Sequence, residues 1–291
     1  MRILLEDLFG IDLKRQLMEP DLRIDERQHF VLGQAVERLL SGEPVQYVTG
    51  VARFCDLLIK VSPSVLIPRP ETEELVQKIC EDSLPCHSCE ESAAMSFQRG
   101  YVRERESMAA VSLGGDPKKF RIWDLGTGSG CIAIALTKQF VNAEVVAFDV
   151  SEEALQIARE NAEINGVQVN FVQDDVLHPT SEFFSQPVDL VVSNPPYVCD
   201  SERAAMESNV LDWEPENALF VPDDDPLLFY RQILQLAQKR LNPDGQVWFE
   251  INERMGVEML QLCCEMGFPE SEIILDYAEK PRFVRMKKIL F

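Results

Sequence analysis

The run Phe120-Arg121-Ile122-Trp123-Asp124-Leu125-Gly126-Thr127-Gly128-Ser129-Gly130 decides the fold, together with the apolar segment Cys131-Ile132-Ala133-Ile134-Ala135-Leu136 and the later Glu144-Val145-Val146-Ala147-Phe148-Asp149. It reads as a strand over 120–124, a glycine turn, a helix over 131–140 and a second strand over 144–149. The alternation then continues, with strands predicted at 169–172, 189–193, 245–251, 273–276 and 283–288 and helices at 152–165, 227–241 and 255–266. This pattern predicts an α/β fold whose parallel sheet is covered on both faces. No helix separates the last two strands, so one of them is expected to run antiparallel.

Upstream, the pattern changes. Ile3, Leu4, Leu8, Leu13 and Leu17 suggest an apolar helical face, and Asp25 with Gln28 reads as an N-cap and its partner. Leu32, Val36, Leu39 and Leu40 continue at helical spacing until Ser41-Gly42-Glu43-Pro44. Tyr47-Val48-Thr49, Phe54 and Leu57-Leu58-Ile59-Lys60-Val61 read as hairpin strands. Pro68 and Pro70 impose extended backbone before a helix that starts near Thr72. Residues 81–119 mix Ser, Glu, Arg, Cys and Gly without a period and read as a flexible insertion. The chain therefore divides into an N-terminal helical domain (1–44), a β-hairpin linker (45–70) and an α/β domain (71–291) that carries the insertion.

Gly126-x-Gly128-x-Gly130 follows a strand and opens a helix, so the backbone can turn tightly and approach a ligand. It is neither Gly-x-Gly-x-x-Gly, because the third glycine comes one residue early, nor a phosphate loop, because Gly-Lys-Ser/Thr is absent. Asp149 ends the second strand, where a carboxylate accepts both hydroxyls of a ribose and disfavours a phosphorylated one. The helix N-terminus after Gly130 suits a carboxylate, and Asp124 lies where an ammonium is expected. Asp175 and Val176 follow the third strand and would flank an adenine. Taken with Asn194-Pro195-Pro196-Tyr197 at the end of the strand Asp189-Leu190-Val191-Val192-Ser193, these features favour S-adenosyl-L-methionine over a dinucleotide. Asp124, Gly126, Thr127, Gly128, Ser129, Gly130, Asp149, Asp175, Val176 and Asn194 are the candidate cofactor residues. A nucleotide fold with another ligand, or a packing turn, remains the competing reading.

An Asn-Pro-Pro-aromatic turn at a strand end can hold a planar nitrogen against an electrophile. An amide nitrogen is a poor nucleophile because its lone pair is delocalised, so it must be aimed. The Asn194 side-chain oxygen and the Pro195 carbonyl would accept its two hydrogens and stabilise the growing positive charge, and Tyr197 would pack on the flat acceptor group. Asn194, Pro195 and Tyr197 are thus candidate catalytic residues, and Asn194, Pro195, Pro196 and Tyr197 candidate substrate-binding residues. The acceptor is either a carboxamide or an exocyclic amine of a DNA or RNA base. The bland alternatives are a rigid turn and a binding protein with a relic site.

The composition narrows the choice. Asp and Glu number 49 against 28 Lys and Arg, a net charge of −21, which repels phosphate backbones and argues against tight, nonspecific nucleic-acid binding. The bland alternative is an acidic surface that only keeps the protein soluble. No direct nucleic-acid substrate is expected. No apolar run reaches membrane-spanning length, and a cytoplasmic protein is expected. Eight cysteines in 291 residues do not form a disulfide scaffold, and Cys131, Cys263 and Cys264 are read as reduced core thiols. Cys86-x-x-Cys89, with Cys80 and His87 nearby, has zinc-ligand spacing but no second pair, so no metal is expected. Arg99, Arg103 and Arg105 around Tyr101 are diluted by Glu104 and Glu106 and read as a solvated loop. Asp223-Asp224-Asp225 lacks the remainder of a calcium loop, and neither His29 nor His178 has a partner pattern for a catalytic triad.

The chain also resembles the HemK/PrmC family of protein-glutamine N-methyltransferases. The matching words are Gly42-Glu43-Pro44-x-Gln46-Tyr47-x-x-Gly50, Leu66-Ile67-Pro68-Arg69-Pro70-Glu71-Thr72-Glu73, the glycine loop, Ser193-Asn194-Pro195-Pro196-Tyr197, Trp213-Glu214-Pro215-x-x-Ala218-Leu219 and Pro281-Arg282. The Pro-Arg-Pro-Glu-Thr-Glu word is the specific one, since Asn-Pro-Pro-Tyr is shared with DNA adenine methyltransferases. The resemblance implies a seven-stranded, Rossmann-like class I methyltransferase domain behind a hairpin linker and a small helical domain that docks the substrate. It implies S-adenosyl-L-methionine as cofactor and, as substrate, the Gly-Gly-Gln glutamine of a peptide chain release factor. It also implies that Arg69 and Glu71 shape the wall near the cofactor. The family's helical domain usually begins about thirty residues earlier, a helix-pair length, so the start of this chain is expected to be shortened. The insertion at 81–119 departs from the family pattern.

Overall fold

The computed structural model describes residues 1–19, 21–83 and 119–288. The reading of 81–119 as a flexible insertion, the Cys86/Cys89 pair and the arginines around Tyr101 fall largely or wholly outside the described residues.

The N-terminal part contains α1 (Arg2–Phe9), α2 (Leu13–Met18), α3 (Glu26–Leu40) and α4 (Val45–Thr49). The cap of α3 forms as its sequence predicts: the Asp25 carboxylate accepts from the Gln28 backbone N–H, and the Gln28 side chain accepts from that of Asp25. A small core of Leu4, Ala35 and Val48 joins α1, α3 and α4. The expected stripe through Leu13 and Leu17 does not form, and both are exposed. The first helix ends at Gly10, so the later leucines fall on a separate helix that has no buried residue.

Tyr47-Val48-Thr49 is helical rather than a strand, which corrects the hairpin reading of 45–70 at its start. The carbonyls of Tyr47 and Val48 accept from the Arg38 guanidinium at 3.1 and 3.2 Å instead of from a neighbouring strand. A side chain ten residues or fewer away thus overrides the β preference of Tyr and Val. The hairpin proper is β1 (Val51–Phe54) and β2 (Leu57–Lys60), and α5 (Pro70–Asp82) follows it. Pro70 occupies the first turn of α5, where a missing N–H costs nothing, and Glu71 and Glu73 favour the positive end of the helix.

The remaining chain contains β3 (Arg121–Leu125), α6 (Cys131–Gln139), β4 (Glu144–Asp149), α7 (Glu152–Ile164), β5 (Asn170–Gln173), β6 (Val188–Ser193), a short parallel pair β7 (Val198–Cys199) and β8 (Phe220–Val221) flanking α8 (Ser208–Leu211), then α9 (Leu228–Arg240), β9 (Leu241–Glu250), α10 (Gly256–Glu265), β10 (Ser271–Leu275) and β11 (Pro281–Lys287). Seven of these strands form one sheet in the order β10-β11-β9-β6-β3-β4-β5, parallel except for β11. The fold is therefore the seven-stranded α/β architecture expected from the alternation.

The central strands are apolar on both faces because each face has its own core. Ile122, Val145, Ala147, Leu190 and Val192 pack with α5, α6 and the hairpin, whereas Trp123, Val146, Phe148, Val191 and Val247 pack with α9 and α10. Cys131 and Cys263 are buried as expected, but Cys264, next in line on α10, is turned outward and exposed.

Candidate active site

Strand order reverses between β3 and β6, and in open α/β sheets the ligand crevice lies beyond the C-terminal ends of the strands at such a point. Register brings the candidate residues to this edge. Leu125 pairs with Ser193, so the glycine loop and Asn194 leave adjacent strands at the same level. Leu125 also pairs with Phe148, and Asp149 with Gln173, which sets Asp149 and the turn after β5 beside the loop.

The loop is held from beneath. The N–H groups of Gly126 and Thr127 both donate to the Phe148 carbonyl at 2.9 Å. Gly130 starts α6 at φ +81°, and a Cβ there would meet the Ala158 Cβ at 3.0 Å, so this glycine lets α6 lie directly against α7. Gly128, at φ +54°, faces open space within 4 Å. Two glycines of one motif thus differ: one is needed for helix packing and the other has open space beside it.

Asp124 is fully buried. Its Oδ2 accepts from the Thr127 hydroxyl at 2.6 Å and the Ala133 N–H at 3.1 Å, while its Oδ1 has no hydrogen-bond partner. Burial pushes its pKa up to about 7, against the pull of those two hydrogen bonds. An unpartnered buried carboxylate oxygen calls for a donor from a ligand, which fits the ammonium of an amino-acid-bearing cofactor. The Asp149 carboxylate accepts from the N–H of Gly128 at 2.8 Å and of Ser151 at 2.9 Å, and each oxygen keeps a lone pair for a further donor. Burial raises its pKa as well, ahead of the lowering effect of these bonds.

Other candidates have structural employment. The Thr127 hydroxyl is spent on Asp124, and Ser129 is buried. Asp175 accepts from the Leu177 N–H and lies 2.9 Å from His178 Nδ1, while Val176 packs against the core on the α9 side of the sheet. The neighbouring Asp174 is the buried acid of this turn, and it receives the N–H groups of Thr180 and Ser181.

At the acceptor side, Asn194 Nδ2 donates to the Thr72 hydroxyl at 3.2 Å. Among the described residues nothing donates to Asn194 Oδ1 or to the Pro195 carbonyl. Tyr197 donates its hydroxyl to Glu250 Oε1 at 3.1 Å, and Thr72 is 2.7 Å from Glu250 Oε2. Glu250, at the end of β9, is buried, and burial drives its pKa up to about 7 despite the Thr72 and Tyr197 contacts and nearby Arg282.

Sequence reading missed four residues here. Besides Thr72 and Glu250 there is Asn161 of α7, which is fully buried, donates to the carbonyls of Ser129 and Lys60 at 2.9 Å and accepts from the Lys60 N–H at 2.6 Å. It ties the hairpin to the glycine loop. The fourth is Glu214, whose Oε1 pairs with Arg69 at 2.6 Å and whose Oε2 accepts from the Ile67 N–H at 3.3 Å. The Arg69 guanidinium is therefore engaged in locking the proline segment to residues 213–215. The Pro-Arg-Pro-Glu-Thr-Glu word contained the clue to Thr72, the residue of α5 that reaches Asn194. Among the described residues no group of three or more His, Cys, Asp or Glu could hold a metal ion.

Comparison with known proteins agrees with this geometry. A family model described as the PrmC N-terminal domain matches residues 1–50, and one described as the methyltransferase small domain matches 112–212. A release factor glutamine methyltransferase of Bacteroides thetaiotaomicron is 39% identical over 96% of this chain and 88% of its own length. Its counterpart in Flavobacterium psychrophilum is 36% identical over 98% and 89%. The Thermus thermophilus 16S rRNA methyltransferase RsmC shares the fold, with a TM-score of 0.52 at 17% identity over 82% of this chain and 50% of that one. With a glycine loop, a strand-end acid and an Asn-Pro-Pro-Tyr turn meeting at one sheet edge, and with relatives this similar along nearly the whole chain, the protein belongs to the release factor glutamine methyltransferase family.

Proposed function

We propose that this protein transfers a methyl group from S-adenosyl-L-methionine to the side-chain amide nitrogen of the glutamine in the Gly-Gly-Gln motif of a peptide chain release factor. The observation that carries the reading is the pair of acceptors at the strand end. Asn194 directs its amide nitrogen to Thr72, so its Oδ1 and the Pro195 carbonyl keep their lone pairs for a ligand. A primary carboxamide presents two N–H donors to match. Holding both turns the nitrogen lone pair toward the electrophile and stabilises the positive charge that grows on nitrogen. Pro195 and Pro196 fix φ at the two central positions of the turn, so the acceptors do not relax toward water.

The bound cofactor supplies an electrophilic methyl on a sulfonium. Asp124 Oδ1 would receive its ammonium, Asp149 its ribose hydroxyls, Gly126 and Gly128 would leave room for it, and residues 174–176 would border its adenine. Neither a metal nor a low-pKa nucleophile is needed, because the methylated nitrogen is strongly acidic and loses its proton after transfer. Reading the acceptor as a base amine is disfavoured by the net charge of −21, which opposes a phosphate backbone. Among the described residues no helix is long and apolar enough to cross a membrane, and a cytoplasmic site of action fits a release-factor substrate.

The test is mass spectrometry of a release factor incubated with enzyme and cofactor. The expected result is one added methyl on the Gly-Gly-Gln glutamine. Methyl found in nucleic acid but not in the release factor would reverse the assignment.

A further inference from the structure

Glu250 is a buried carboxylate for which the reaction as described has no use. It is 1% exposed, and no cation is within salt-bridge distance among the described residues. Arg282, whose charge reaches Glu250, is engaged with Asp276 and Glu253. A carboxylate buried in this way is unfavourable unless its oxygens are used. Both are: Oε1 takes the Tyr197 hydroxyl and Oε2 the Thr72 hydroxyl.

The proton count at Thr72 gives this arrangement a direction. A threonine hydroxyl has one proton, and with Glu250 ionised, as it is above its pKa of about 7, a carboxylate oxygen 2.7 Å away takes it. The Thr72 oxygen can then only accept, so it selects the nitrogen of the Asn194 amide and rejects its oxygen. The amide can be flipped by 180° at little steric cost, and this single acceptor decides which way it sits.

We propose that Glu250 and Thr72 are positioning residues that lock the Asn194 amide with Oδ1 toward the acceptor, while the other Glu250 oxygen fixes Tyr197 at the far end of the same turn. The inference rests on the reading above that Asn194 Oδ1 receives the substrate amide. One carboxylate then holds both ends of the Asn194–Tyr197 segment, through residues contributed by α5, β9 and the turn after β6.

Single-turnover methylation of the release factor and calorimetric titration of S-adenosyl-L-methionine at about pH 8, where Glu250 is ionised, each with a thermal melt, test this at two positions. Thr72→Val removes the hydroxyl and is expected to slow transfer by about tenfold or more, with cofactor Kd within about twofold of wild type. Thr72→Ser restores the hydroxyl and should return the rate to within about threefold. Glu250→Ala should resemble Thr72→Val. Glu250→Gln keeps the shape but should also slow transfer, because its Oε1 accepts from Tyr197 as Glu250 does and its Nε2 then donates to Thr72. That frees the Thr72 proton for Asn194 Oδ1 and reverses the amide, so a Gln variant as fast as wild type would overturn the relay. If Thr72→Val fails to fold, the Glu250 pair reads the same relay. Thr72→Val as fast as wild type, Ser as slow as Val, or a cofactor affinity that falls in step with the rate would overturn the relay. A wild-type protein that leaves the glutamine unmethylated refutes the proposed function instead.

Discussion

The two glycines of the loop should fail in opposite ways when each is replaced by alanine. At Gly130, φ is +81°, a region that costs an L-residue roughly 1–2 kcal/mol. The new methyl would also meet the Ala158 Cβ at 3.0 Å, the Ile134 Cδ1 at 3.2 Å and the Ala158 Cα at 3.3 Å. The isoleucine terminus can give way, but Ala158 Cα is helix backbone, so α7 must shift away from α6. Overpacking of this kind costs about 1–3 kcal/mol. Gly130→Ala is therefore expected to lose about 2–5 kcal/mol, a large part of a typical stability of roughly 5–15 kcal/mol, and to lower Tm by roughly 5–15 °C. At Gly128 the strain is similar but nothing lies within 4 Å of the added carbon. Gly128→Ala should lose no more than about 2 kcal/mol. Under the proposed cofactor placement its methyl would take up space the cofactor needs, so cofactor affinity should fall by about tenfold or more. Denaturant melts with an unchanged m-value, paired with calorimetric titration of S-adenosyl-L-methionine, separate the two effects. The division of labour within the loop is refuted if Gly130→Ala melts with the wild type, or if Gly128→Ala binds cofactor normally.

Three further outcomes are expected. Asn194→Ala should reduce methyl transfer by about a hundredfold or more while cofactor affinity changes only a few-fold, and unchanged single-turnover rates would remove its acceptor role. Asp124 has a folded-state pKa of about 7, above its ordinary 3.8, so folding takes up a proton and its stabilising contribution is lost as pH rises through about 7. The Tm of Asp124→Asn relative to wild type should therefore climb between about pH 4 and pH 7 and level off above, by an amount corresponding to at most about 4 kcal/mol, and a flat difference across a melt series would contradict the buried carboxylate. Asn161→Ala strands two backbone carbonyls and an N–H, and it should cost about 2–4 kcal/mol in a chemical melt; a loss below about 0.5 kcal/mol would show that the hairpin is not held to the loop by this side chain.

The sequence alone determined the sheet and its edge. Strands and helices from Phe120 onward are specified by local periodicity, and the glycine loop, Asp149 and Asn194-Pro195-Pro196-Tyr197 are each a few contiguous residues whose chemistry can be read without partners. Local reading was weaker where a contact overrode propensity, as at Tyr47 and Val48, whose carbonyls are satisfied by Arg38. Only the tertiary structure decided what holds the site. Thr72 and Glu250 meet across 178 residues, Thr72 and Asn194 across 122, and Asn161 and Lys60 across 101. In the run Trp248-Phe249-Glu250-Ile251, nothing in the order of residues tells which face of the strand the carboxylate takes or what awaits it there. A hydrogen bond needs two groups within about 3 Å, and for residues so far apart along the chain only the packing of α5 and α7 against a finished sheet creates that proximity.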